Sequence, residues 1–479
     1  MIETASDSNL KAAWWGAIAS PAQEFPLTPL SLLTGNIPPG LRGTLYRNGP
    51  GRLSRGGQTM GHWFDGDGAI LAVHFRDNGA EGVYRYVQTS AYQAETEADA
   101  LIFANYGMTA PGPVWNNWIK DLKNAANTSV LALPDRLLAL WEGGKPHALD
   151  LNTLETIGLD SLDRLKGQDT FTAHPKVDPQ TGEIFNFGVV AGINATLNLY
   201  RSDRTGKIIQ RNSFNLEGLP VMHDFVMAGP YLVFFVPPVR VNLVPAGLGI
   251  ASFSDAIAWK PELGTQILIF DRNSLSLLSR SVTDPFYQWH FTNAYLDESG
   301  AEIIVELVRF SDFQTNQNLK EVPTGTITTP AKGTLWQINL DPKTAKVIKQ
   351  ERLLDRKCEF PVVVSQATSQ PWRYTYLSTY QDDSDLTAEL FNAIARFDRQ
   401  TGNLSIADLG DNFYPSETIP VRDAIDLQKI WLLTVVYDAS SHTSQVWIYN
   451  SENLESEPVC TLQLPEVVTH GFHGTWKSS

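Results

Sequence analysis

The sequence predicts an all-β protein made of repeated hairpins, an arrangement that a β-propeller accommodates. Three observations carry this. Runs such as "YLVFFVPPV", "QILIF", "EIIVELVRF", "IWLLTVVY" and "SQVWIYN" are short, rich in β-branched and aromatic residues, and bounded by turn residues. Helical periodicity is scarce: only 10–19 and 115–123 ("WNNWIKDLK") read as short helices. A weak internal echo recurs, in which an apolar pair is followed by Asp or Asn, a polar turn and a second strand. In chain order it begins near Asp150 in "ALDLNTLETI", Asp178 in "KVDPQTGEIF", Asp203 in "RSDRTGKII", Asp271 in "IFDRNSLSLL", Asp341 in "NLDPKTAKVI", Asp398 in "RFDRQTGNLSI" and Asn450 in "IYNSENLESE". An Asp or Asn there accepts a bond from the backbone two residues on, and Gly or Asn suits the left-handed position that follows. Repeated hairpins along 479 residues suggest small sheets around an axis. Their spacing is uneven, so the blade number stays open, as does a large sandwich or a pair of β-domains.

Composition removes several function classes. The chain is 43% hydrophobic and 19% charged, which suits a packed core. Its formal charge is −15 and no Lys/Arg stripe breaks the acidic surface, so nucleic acid is excluded as an expected partner. Cys358 and Cys460 are the only cysteines, too few for a disulfide scaffold and too distant for a CxxC motif. The acidic start, "MIETASDSNLKAAWWGAIAS", does not read as a signal peptide, and no run of 18 apolar residues reads as a membrane span. The expected location is cytoplasmic.

The histidines carry the chemistry. Four of the nine sit in apolar, strand-like segments: His174 in "FTAHPKVDP", His223 in "VMHDFVM", His290 in "YQWHFTNAY" and His473 in "HGTW". None has a neighbour at metal-ligand spacing, and taken singly each reads as a core histidine bonded to backbone. A propeller changes the weighing, because inner strands of different blades converge and can bring distant histidines to one metal. In "HGFHGTW", His470 and His473 fall on opposite faces of an extended chain, and Gly471, Gly474 and Thr475 make a helix poor. At most one of them is a ligand.

The segments "LYRNGPG" (45–51), "HWFDGDGAI" (62–70), "NAANTSV" (124–130), "LLALWEGGKPHALD" (137–150), "TAHPKVD", "MHDFV", "WHFTNAY", "CEFPVV" (358–363) and "HGTW" together resemble the carotenoid cleavage oxygenases, from about residue 25 to the end. The resemblance implies a seven-bladed β-propeller capped by loops and short helices. It implies one domain over 1–479, with 1–24 peripheral. It also implies a ferrous iron, Fe(2+), on the axis, held by His174, His223, His290 and His473, with His470 an ordinary neighbour. Glu142, Glu359 and Glu417 match the family's glutamates that hold three of the imidazoles. Glu417 is the loosest match, since Ser416-Glu417-Thr418 stands where the family has Gly-Glu-Pro. Glu142 and Glu359 adjoin apolar strands, where an unpartnered carboxylate is costly.

The implied reaction adds dioxygen across a double bond of an apolar polyene, here an apocarotenoid at the 15,15′ bond, giving retinal-type aldehydes. Phe64, Trp141, Trp289 and Phe291 are expected along the substrate path. Phe291 replaces a second histidine and Ala69 a methionine common in the family, so the tunnel's shape is expected to differ. Stilbene-cleaving members carry a lysine where this chain has Trp141, and the indole favours a polyene. A non-catalytic propeller binding module and a retinoid isomerase are the readings from other classes. Residues 241–259, "VNLVPAGLGIASFSDAIAW", with the single charge Asp255, resemble the family's apolar patch at the tunnel mouth, so peripheral membrane contact is expected there. A buried loop packed on the cap is the alternative.

Overall fold

The computed structural model describes residues 11–479 apart from positions 78, 121, 383, 387 and 388. Seven antiparallel sheets of four or more strands make seven blades. From the axis outward, the second runs Ser129–Ala132, Leu137–Leu140, His147–Leu149, Thr156–Leu159. The third to sixth follow the same up-and-down order, with inner strands Lys176–Val177, Val226–Ala228, Phe291–Leu296 and Cys358–Val362. The chain ends stitch the ring closed. Blade one takes its inner strand, Gly474–Ser478, from the C-terminus, pairing Arg47 with Gly474 through Gly43 with Ser478. Blade seven takes its outer strand, Ser31–Gly35, from the N-terminal part, paired to Cys460–Gln463. A sheet closed on itself leaves few free edges, and here both ends of the chain provide the closure.

The recurring Asp and Asn sit where the hairpin reading put them. Asp150, Asp203, Asp271, Asp341, Asp398 and Asn450 open the outermost hairpin of blades two to seven, and Asp178 opens the inner hairpin of blade three. Each accepts a backbone N–H from the turn, at 2.9 Å from Asn152 in blade two and 3.1 Å from Glu452 in blade seven. The left-handed residue that follows is glycine in only some of these turns. Leu154, Leu275 and Ala345 also adopt it, each with φ +58°. All three are fully buried, so packing offsets the backbone cost.

The two expected helices are short. Residues 115–123 give one turn, Asn116–Ile119, and 10–19 give a 3-10 turn, Ala13–Ala17. Position 10, like the rest of 1–10, and position 121 lie outside the described residues. The leading segment, expected to be peripheral, packs onto the ring where it is described. Trp14 is fully buried against Trp63, Tyr414, Tyr437 and Phe472. Its carbonyl lies 2.8 Å from His470 Nε2. Together with long insertions around Ser90–Ala98, Leu243–Gly247 and Thr315–Glu321, this segment forms a cap on the propeller. Trp14→Ala should cost about 3–5 kcal/mol, read as a lower urea midpoint at unchanged slope. An unchanged midpoint would mean that the segment is dispensable to the ring.

Candidate metal centre

His174, His223, His290 and His473 each lie one to three residues before the inner strand of blades three, four, five and one. A residue just outside a strand ladder escapes the ladder's alternation, so its ring can turn toward the axis. The structure brings all four together, with their ligand nitrogens within 4.8 Å of one another. His174 Nε2 is 2.9 Å from His223 Nε2, which is 3.1 Å from His290 Nε2. The rings of His174 and His473 are 4.6 Å apart, and those of His290 and His473 4.7 Å. His470, by contrast, is no part of this group.

Carboxylates stand behind three of the rings. Glu359 Oε2 is 2.5 Å from His290 Nδ1, and Glu417 Oε1 is 3.0 Å from His473 Nδ1. Glu142 Oε1 is 3.1 Å from His223 Nδ1, but the direction is poor for a hydrogen bond and both its oxygens are buried without one. The side chain is 31% exposed, so its stem faces solvent while its carboxylate turns inward. No carboxylate bonds His174 among the described residues. With Nδ1–H donated to a carboxylate, the neutral ring presents a bare Nε2 lone pair. Such lone pairs facing one another at about 3 Å repel unless a cation lies among them. A divalent first-row ion holds imidazole nitrogen at about 2.1 Å, so ligands at right angles stand about 3.0 Å apart and tetrahedral ones about 3.4 Å. The observed 2.9 and 3.1 Å fall within the span that one such ion would bridge. The donor set therefore fits a metal ion.

Electrostatics agree with neutral ligands at two corners. Burial, then the three other rings and Lys176, holds His174 well below the usual histidine range. Burial pushes His473 down to about 4 despite Glu417. Burial also pushes His290 down, but the charge and bond of Glu359 outweigh it and raise the ring. For Glu417, burial would raise the carboxyl, but His473 and then Arg47 hold it below its usual range. Arg47 is the residue that reading the sequence missed. It is buried in blade one and donates to Glu417 Oε2 at 3.1 Å, to the Glu417 carbonyl at 2.9 Å and to the Phe472 carbonyl at 3.2 Å. Its place in "LYRNGPG" was visible, but a pairing across 370 residues was not.

Two cavities meet at the histidines. One, with an empty volume of about 980 Å³ counting its open mouth, is walled by Trp63, Phe64, Trp289, Leu319, Phe391 and Phe472 among others. The other is more polar, about 670 Å³, and runs past Lys176, Thr292 and Asn293 of the inner strands and Asp224 just before one. Phe64 and Trp289 thus line the apolar cavity, with their rings 5.6 Å apart. Phe291 lines the polar one and packs on Phe235. Trp141 lines neither; it is buried over Gly143, where a Cβ would strike its indole at 2.8 Å. The sequence offered no way to separate these two aromatics from the other pair, because all four flank site motifs.

The family model described as retinal pigment epithelial membrane protein (RPE65) matches residues 18–478. An apocarotenoid-15,15′-oxygenase from Synechocystis sp. is 31% identical, over 92% of this chain and 91% of its own. An isoeugenol monooxygenase from Pseudomonas nitroreducens is 29% identical, over 92% and 93%. The crystal structure of the cobalt-substituted Synechocystis enzyme superposes with TM-score 0.88 at 28% identity, covering 98% of both chains.

Replacing any one of the four histidines by Ala should remove most bound metal, whereas His470→Ala should retain it, as read by elemental analysis. Glu359→Gln and Glu417→Gln should weaken metal affinity roughly 10–100-fold. Full occupancy in His473→Ala would refute the ligand set.

Proposed function

The chain belongs to the carotenoid cleavage oxygenase (RPE65) family, and from that premise we propose that it is an iron(II) dioxygenase cleaving the 15,15′ double bond of apocarotenoids. The observation that carries this is the apolar cavity ending on His223, His290 and His473, three of the four clustered histidines. A ferrous ion among these rings would supply the electrons that ground-state dioxygen needs to react with a closed-shell alkene. The reaction balances without another reductant: each carbon of the broken double bond takes one oxygen atom, and two aldehydes leave. Glu359 and Glu417 aim the His290 and His473 imidazoles and Glu142 stands behind His223, while Phe64 and Trp289 offer flat apolar walls to a conjugated chain. No lysine or arginine lines that cavity among the described residues, so a phenolate has no cationic partner there. This favours a polyene over a hydroxystilbene.

Delivery follows the same chemistry. Trp115, Trp118 and Ile119 are exposed, and so are Val244, Leu248 and Ile250 in the 241–259 segment. Trp118 Nε1 donates to the Gly247 carbonyl at 3.0 Å, so the two groups adjoin. A joined apolar surface of this kind suits peripheral contact with a lipid bilayer. Among the described residues no helix is long and apolar enough to cross one. The −15 charge argues against an electrostatic anchor on anionic lipid.

Iron-loaded protein offered a β-apo-carotenal and a hydroxystilbene side by side should consume oxygen and release retinal from the first. Preference for the stilbene would overturn the substrate reading. Binding to liposomes should persist at high salt and be lost in Val244→Asp with Ile250→Asp. A double variant that still sediments with lipid would move attachment to another surface.

A further inference from the structure

The two cavities share only four lining residues: His290, Glu417, His473 and Phe360. Three belong to the metal centre, so Phe360 is the single apolar side chain at the junction. Its ring stacks on His290 at 5.4 Å and 26°, and stands 5.3 Å from His473. Phe391, on the wall of the apolar cavity, meets it edge-on at 6.3 Å. The backbone is bent to put it there. Phe360 has φ +52°, and the strand register slips between Glu359 and Val362. A left-handed aromatic residue is a genuine outlier, and such outliers gather where the surroundings over-determine them. The same bend lets the Phe360 N–H donate to Glu359 Oε2 at 2.5 Å, the oxygen that holds His290. Lys176 and Asp224, paired at 2.7 Å, line the polar cavity, which is therefore suited to water, while the apolar cavity is suited to hydrocarbon.

We propose that Phe360 is a positioning residue whose ring separates the wet axial channel from the dry substrate cavity at the edge of the metal centre. It keeps bulk water and hydrophilic solutes from reaching the ion's open positions. Its backbone helps hold Glu359, and its ring does the separating. The two roles are separable because the N–H survives every substitution except proline. The inference rests on the metal-centre reading given above.

The test uses the full-length protein loaded with Mn(II) or iron(II). Metal content is measured first. Extraction by a hydrophilic chelator is then timed, and water-proton relaxation by the Mn(II) form is recorded. Phe360→Ala and Phe360→Gly should speed extraction by about tenfold or more and raise relaxation, in line with the effect of residues around a metal's ligands. Phe360→Leu, which restores apolar bulk, should stay near the parent. A ring that merely fills space would lower the melting temperature without changing water access in the folded, loaded protein. Parent-like extraction and relaxation in fully loaded Phe360→Gly overturn the proposal and leave the metal centre standing. If Phe360→Ala does not fold, the comparison of Phe360→Gly with Phe360→Leu decides the matter alone. A parent that binds no metal overturns both readings.

Discussion

Four neutral imidazoles must point bare lone pairs at one place inside a protein. Left alone, rings so arranged repel, rotate or take up protons, and burial makes each alternative costly. The remedy is to hold the far nitrogens of His290 and His473 with carboxylates, to stand Glu142 behind His223, and to leave room for a cation among the near nitrogens. The rest of the structure serves that demand. Each blade sends one group to the centre: His473 from the first, Glu142 from the second, His174, His223 and His290 from the third to fifth, Glu359 from the sixth and Glu417 from the seventh. Seven blades make seven contributions, and the C-terminal strand that closes the ring follows directly on the last ligand.

Charge balance gives Arg47 a role. A divalent ion among four neutral rings would carry +2, and three carboxylates would bring −3. The buried Arg47, bonded to Glu417, would then restore neutrality. A cluster sunk this deep could not keep an uncompensated charge without displacing its pKa values or its fold. The Lys176–Asp224 pair beside His174 is neutral on its own and leaves that balance unchanged.

Much of this was legible in the sequence, for physical reasons. An Asp that must accept its own turn's N–H leaves a local mark, so Asp150, Asp203, Asp341 and Asp398 were readable as hairpin openers. Blades could not be counted from them because Asp178 marks a second hairpin in blade three and the cap insertions stretch the spacing. The histidines were readable as a set through their motifs, not through their separation. Arg47, the left-handed Phe360 and the inward packing of Trp141 were not readable, since each depends on which surfaces meet after the ring closes.

X-ray absorption at the iron edge of the iron-loaded protein should show a primary shell of four imidazole nitrogens at about 2.1 Å, with their outer-ring scattering and no carboxylate oxygen. A shell of two imidazoles and a carboxylate, the commoner arrangement for non-haem iron, would contradict it.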